Sequence, residues 1–96
     1  MNKNIKKPRQ LAVYEAIAQV ETVEECIALF DDLLSVAEQR AMEQRYQVAQ
    51  MLEEGMVYSA ILEKTGASSA TISRVNRTLQ NTGEGYRLAF SRMLEK

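Results

Sequence analysis

The sequence predicts an all-α fold of six helices with no strand, and three observations carry that expectation. Apolar residues recur three and four positions apart along most of the chain, the period of an amphipathic helix, and no stretch alternates as a half-buried strand does. Between Arg9 and Glu54 there is neither proline nor glycine to interrupt a helix. Twice in that span a Ser or Thr stands three residues before a Glu at the head of an apolar run. In this pattern the two side chains satisfy each other's free backbone N–H at a helix start.

A first helix is expected from Gln10 to about Val20, where Leu11, Tyr14, Ile17 and Ala18 recur at helical spacing and Pro8 lies harmlessly upstream. Thr22 with Glu25 opens a second, running through Val23, Cys26, Ile27, Phe30, Leu33 and Leu34. Ser35 with Glu38 opens a long third helix, on which Val36, Ala41, Met42, Arg45, Val48, Ala49 and Leu52 share a face and which Gly55 ends. A short fourth helix is expected around Ala60 to Lys64; Gly66 breaks it, and Ser68 or Ser69 caps a fifth running to about Leu79. The stretch NTGEG then separates a final helix over residues 86 to 95. No internal repeat or low-complexity tract interrupts this order.

Composition narrows the function classes. At 96 residues, 46% hydrophobic and 26% charged, the chain is one ordinary globular domain. A chain this short buries only about two thirds of its unfolded surface, which favours a core shared between two copies. There is no histidine and one cysteine, Cys26, so neither a zinc cluster nor a Cys/His nucleophile can be assembled. A lone cysteine suits a reducing cytoplasm. The start MNKNIKKPRQ is basic but no apolar stretch of ~7–15 residues follows it, so no signal peptide is expected, nor any membrane partner.

The net charge of −1 is unevenly placed. Residues 1 to 14 carry Lys3, Lys6, Lys7 and Arg9 and no acid, whereas residues 15 to 55 carry ten acids against Arg40 and Arg45, a net of −8. Residues 56 to 83 are +2 and residues 84 to 96 are +1. Such polarity bears on partners rather than on fold.

The stretch YSAILEKTGASSATISRVNRTL places a short helix, a glycine turn and a second helix within about twenty residues, the layout of a helix-turn-helix. Ile61 on the first helix and Ile72, Val75 and Leu79 on the second fall where the two must meet. Ser68, Ser69, Thr71, Ser73, Arg74 and Arg77 face away from that contact, short hydroxyls first and arginines further along. Such a face suits a DNA major groove: hydroxyls bond phosphate or base edges without bulk, and arginine reaches guanine with a two-pronged donor or neutralises phosphate. A solvated surface has the same composition, and only the glycine turn and the phased apolar positions favour DNA over it. Leu62, four residues before Gly66, stands where such units often have alanine.

These residues also carry a family likeness. RYQVAQMLEEGMVYSAILEKTGASSATISRVNRTL, residues 45 to 79, resembles the tryptophan repressor superfamily, and more closely its YerC/YecD-type Trp-repressor-like members in bacteria. TGASSATISRVNR is the most specific part, and weaker similarity extends back through ECIALFDDLLSVAE. The resemblance implies an interlaced, all-helical homodimer that binds palindromic operators on double-stranded DNA, hence a transcriptional regulator. It also accounts for Leu62, since that family does not require a small residue there. On this basis residues 1 to 9 form a basic arm and residues 10 to 96 one helical domain, in which 10 to 55 dimerise, 56 to 80 form the helix-turn-helix and 86 to 96 the C-terminal helix.

In the tryptophan repressor two arginines sandwich the indole of a co-repressor. Arg74 matches one directly; Arg45 matches the other if the chain is one residue shorter near Gly55, as Val48, Ala49 and Leu52 favour. Thr78 stands where a serine helps hold that ligand, so Arg45, Arg74 and Thr78 are the candidate small-ligand residues. Val75 replaces a glycine beside the arginine and narrows the site, so no cofactor is favoured, while tryptophan or another small co-repressor is left open as an effector. Arg45 alone is equally explained as a surface ion pair worth ~0–1 kcal/mol.

Other clusters have simpler explanations. Asp31 and Asp32 are adjacent on a helix and point about 100° apart, which suits solvent better than a metal. Met42, Met51, Met56 and Met93 recur as core or interface filler, and Tyr46, Tyr58 and Tyr86 suit packing with a wet hydroxyl more than base stacking. No catalytic constellation is present, and no enzyme is expected. The sequence therefore points to a sequence-specific DNA-binding transcriptional regulator, with repression the favoured mode. The alternative, a helical protein-interaction adaptor without specific DNA binding, draws on the acidic stretch 15 to 55.

Overall fold

The computed structural model describes residues 8 to 95, so of the expected basic arm Lys3, Lys6 and Lys7 lie outside the described residues. Six α-helices follow in order: α1 (Leu11–Ala18), α2 (Val23–Leu33), α3 (Val36–Glu53), α4 (Tyr58–Thr65), α5 (Ser69–Asn81) and α6 (Glu84–Leu94). No strand is present among the described residues. The chain divides into two compact units, at residues 39 and 40 within α3.

In the first unit, α1 ends at Ala18 rather than Val20. Its last turn tightens as the N–H groups of Gln19 and Val20 donate to the carbonyls of Ala16 and Ile17, both at 3.1 Å. The Ser35–Glu38 pair forms the full reciprocal cap: Glu38 N–H donates to Ser35 Oγ at 3.1 Å and Ser35 N–H to Glu38 Oε1 at 2.8 Å. At α2 the return bond shifts by one residue. Thr22 Oγ1 accepts from Glu25 N–H, but Glu25 Oε1 accepts from Glu21 N–H at 3.0 Å instead of from Thr22. Neither α1 nor α2 buries a residue within the single chain. Leu11, Tyr14, Val23, Ile27 and Leu33 all stay about half exposed or more.

The second unit holds the core: Val48, Ala49, Ile61, Ala67, Ile72, Val75 and Leu79. Helix α3 contributes Val48 and Ala49, then ends in a Schellman arrangement, with Gly55 N–H donating to the Leu52 carbonyl and Met56 N–H to that of Met51. Helix α4 begins two residues earlier than expected, at Tyr58, because Ile61 N–H bonds the Val57 carbonyl and completes a turn that no polar cap announces. It stops at Gly66, whose φ of +73° is open to glycine and costly to a residue with a Cβ. Thr65 Oγ1 donates to the Ile61 carbonyl at 2.8 Å and accepts from Ala67 N–H at 3.0 Å. From α3, Gln44 Nε2 donates to the Thr65 carbonyl at 3.2 Å, pinning the turn to the long helix.

Ser68 then caps α5 by accepting from Thr71 N–H at 3.1 Å. The final helix spans residues 84 to 94 rather than 86 to 95: Gly83, at φ +64°, turns the chain so that Glu84 and Gly85 already lie in the first turn, and Arg87 N–H bonds the Gly83 carbonyl. Helices α3 and α6 meet through Tyr46, Tyr86 and Phe90, whose ring centroids lie 5.5 to 6.3 Å apart. Tyr58, by contrast, is exposed on α4.

Ile72 is fully buried at the centre of this core. Ile72→Ala is therefore expected to lower unfolding free energy by about 2–5 kcal/mol in urea at fixed protein concentration. Gly66→Ala meets nothing within 4 Å, so its loss of about 1–2 kcal/mol is conformational alone and leaves the fold intact.

Candidate nucleic-acid interface

Helix α5 is two-sided. Ile72, Val75 and Leu79 are buried in one direction, while Ser69, Arg74 and Arg77 are exposed in others. At about 100° per residue Arg77 stands nearly opposite the buried three, and Arg74 lies toward one flank. The helix carries these two cations and no acid. Because side chains lean toward the helix start, Ser68, Ser69 and Ala70 form the blunt leading end of the outward face.

The six residues expected at DNA divide into three kinds. Ser69, Arg74 and Arg77 are exposed. Ser68 is exposed as well, but its oxygen serves as the helix cap and its hydroxyl donates to Thr71 Oγ1 at 3.1 Å. Thr71 and Ser73 are half-buried at the borders of the face. Ala70 adds an apolar position to this face that no polar side chain signals in the sequence. It is exposed and lies four and seven residues before Arg74 and Arg77, on the outermost line of the helix, where a small apolar side chain can meet a thymine methyl.

The candidate small-ligand residues do come together. Arg45 from α3 and Arg74 and Thr78 from α5 line one cleft of about 210 Å³. Gln44, Thr71 and Tyr86 complete its polar wall, and Ala41 and Val75 its apolar one. Gln44 and Tyr86 were not among the sequence candidates. The available signal was the spacing of Ala41, Gln44 and Arg45, which share one face of α3. Thr78 Oγ1 donates to the Arg74 carbonyl at 3.3 Å, which turns its hydroxyl back along the helix. Among the described residues no group of Cys, Asp or Glu is arranged to hold a metal ion, and no helix is long and apolar enough to cross a membrane.

With this geometry in place, the family model described as Trp repressor protein matches residues 9 to 94, nearly the whole described chain. The chain belongs to the Trp repressor family. Among its relatives, the uncharacterized protein YerC of Bacillus subtilis (strain 168) is 42% identical over 83 residues, which cover 86% of this chain and 80% of YerC. The crystal structure of a candidate Trp repressor from Staphylococcus aureus superposes with a TM-score of 0.82 at 43% identity, covering 88% of this chain and 84% of the other. A TrpR-like protein from Eubacterium eligens ATCC 27750 gives 0.81 at 42% identity, covering 84% of each. The six-helix, Trp-repressor-like fold expected from the sequence is thus the fold of the chain.

The cleft is smaller than the ~300–1,000 Å³ of most small-molecule pockets, and the Val75 side chain forms part of its wall. Calorimetric titration with L-tryptophan is accordingly expected to give no saturable heat up to millimolar concentration, the clash with Val75 costing about 1–3 kcal/mol. Saturable binding would show instead that Arg45 and Arg74 close on an indole despite Val75.

Proposed function

We propose that the protein is a sequence-specific, DNA-binding transcriptional repressor that places the α4–turn–α5 unit, as a helix-turn-helix, in the major groove of a palindromic operator. The observation that carries this function is the outward face of α5, with Arg74 and Arg77 exposed and unopposed by any acid on the helix, in a chain of the Trp repressor family. Ser69, Ala70, Ser73, Arg74 and Arg77 lie nearest the bases; Ser68 and Thr71 hold the helix start. The protein acts in the cytoplasm, catalyses no reaction, and needs no tryptophan.

The working form is an interlaced homodimer in which residues 10 to 55 of two copies cover each other. Supporting this are the unburied apolar residues of α1 and α2. In the second unit, Tyr46, Phe90, Met93 and Leu94 line an open groove of about 220 Å³ together with Gln50, Glu53 and Glu54. Two copies related by a two-fold axis present two α5 helices to a palindrome.

Selection from a random duplex pool is expected to enrich one palindromic motif, whereas a helical adaptor would enrich none. Arg77→Ala is expected to weaken binding to that motif and to lower the salt slope by about one unit for each phosphate it ceases to neutralise, with an unchanged circular dichroism spectrum. Wild-type affinity in Arg77→Ala and Ser69→Ala alike would place another face of α5 against DNA. Sedimentation is expected to show a dimer at micromolar concentration; a stable folded monomer there would remove the interlaced arrangement.

A further inference from the structure

We propose that Arg87, on α6, is a positioning residue that sets the angle at which α5 presents Arg74 and Arg77. The inference presupposes the DNA-binding function proposed above. The last carbonyls of any helix lack partners within it. At the end of α5 the Thr78 carbonyl accepts from Thr82 N–H at 2.9 Å and from Thr82 Oγ1 at 3.3 Å. Two carbonyls beyond it, those of Leu79 and Thr82, are held from the following helix. Arg87 Nη2 donates to the Leu79 carbonyl and Arg87 Nη1 to the Thr82 carbonyl at 2.7 Å. One planar guanidinium of α6 thus grips two carbonyls at the end of α5. Its charge lies at the negative end of the α5 dipole.

Gly83 makes room for this grip. A Cβ at residue 83 would stand 2.8 Å from Arg87 Nη1 and 3.0 Å from the Leu79 carbonyl oxygen, so any side chain there would displace the guanidinium. Beyond the corner, the rings of Tyr86 and Phe90 hold α6 to Tyr46 of α3. Leu79 is the last buried residue of α5, Gln80 and Asn81 are exposed, and α6 begins without a side-chain cap. Arg77 lies two residues before Leu79, in the turn whose carbonyl Arg87 holds. A corner free to swing would spread the orientations of that turn and blur the register of its cations against base edges. Sequence-independent attraction to phosphate would be untouched.

The test uses full-length Arg87→Lys, which keeps the charge but not the two-pronged fork, and Arg87→Ala. Each is measured against the duplex enriched by the wild type and against a random duplex of equal length. For Arg87→Lys, affinity for the enriched duplex is expected to fall about tenfold, the discrimination of one good base contact. Its random-duplex affinity and salt slope are expected to stay at wild-type values. Amide exchange at Thr82, measured by NMR without DNA, is expected to speed up about tenfold, since a weakening of the grip by 1.4 kcal/mol is tenfold in opening. Wild-type selectivity in Arg87→Lys would overturn the proposal. So would parallel weakening on both duplexes in Arg87→Ala with a slope lower by about one unit, which would mark Arg87 as a direct phosphate contact. If the wild type itself enriches no duplex, the DNA-binding function fails. The exchange measurement then still decides whether Arg87 holds the corner, and unchanged exchange at Thr82 overturns it.

Discussion

The contact of Ile72, Val75 and Leu79 with Val48, Ala49 and Ile61 is the constraint on which the remaining geometry depends. It fixes the rotation of α5 about its own axis, and rotation decides which side chains face out. Turning the helix by one residue, about 100°, would carry buried aliphatic surface into water and an arginine toward the core. Both changes are unfavourable, so the core and the outward face specify each other. The turn is held as firmly as the helix. Gln44 reaches from α3 to the Thr65 carbonyl, and Thr65 in turn ties Ile61 to Ala67. These bonds leave little freedom between α4 and the start of α5.

Arg74 stands at a boundary. It is exposed on the flank of the outward face and also lines the cleft shared with Arg45 and Thr78. A residue so placed can serve a groove or a ligand. Val75 lines the same cleft beside Arg74. Membership of the Trp repressor family does not by itself carry over a co-repressor. A fold does not by itself name a ligand; the side chains lining the cleft do.

The two compact units differ in how they are satisfied. The second has a core of its own, while the helices α1 and α2 of the first bury no residue in the single chain. A domain this small has too little interior to cover every apolar face alone. Acidity is concentrated in residues 15 to 55, apart in the sequence from the arginines of α5.

Helix identities, the caps at Thr22, Ser35 and Ser68, the break at Gly66 and the inward residues of α5 were legible in the sequence, because each depends on residues within one or two helical turns of one another. The limits of α4 and α6 were less so, since a helix start capped by Val57 or by a left-handed Gly83 has no side-chain signal. Tertiary structure alone brought Arg45 and Arg74 into one cleft, joined Gln44 to Thr65, and placed Arg87 on the end of α5. Those pairings lie five to twenty-nine residues apart and follow no periodicity. They arise only when the burial of α5 sets the angles between helices, and hydrophobic burial, being non-directional, does not spell out those angles in the order of residues.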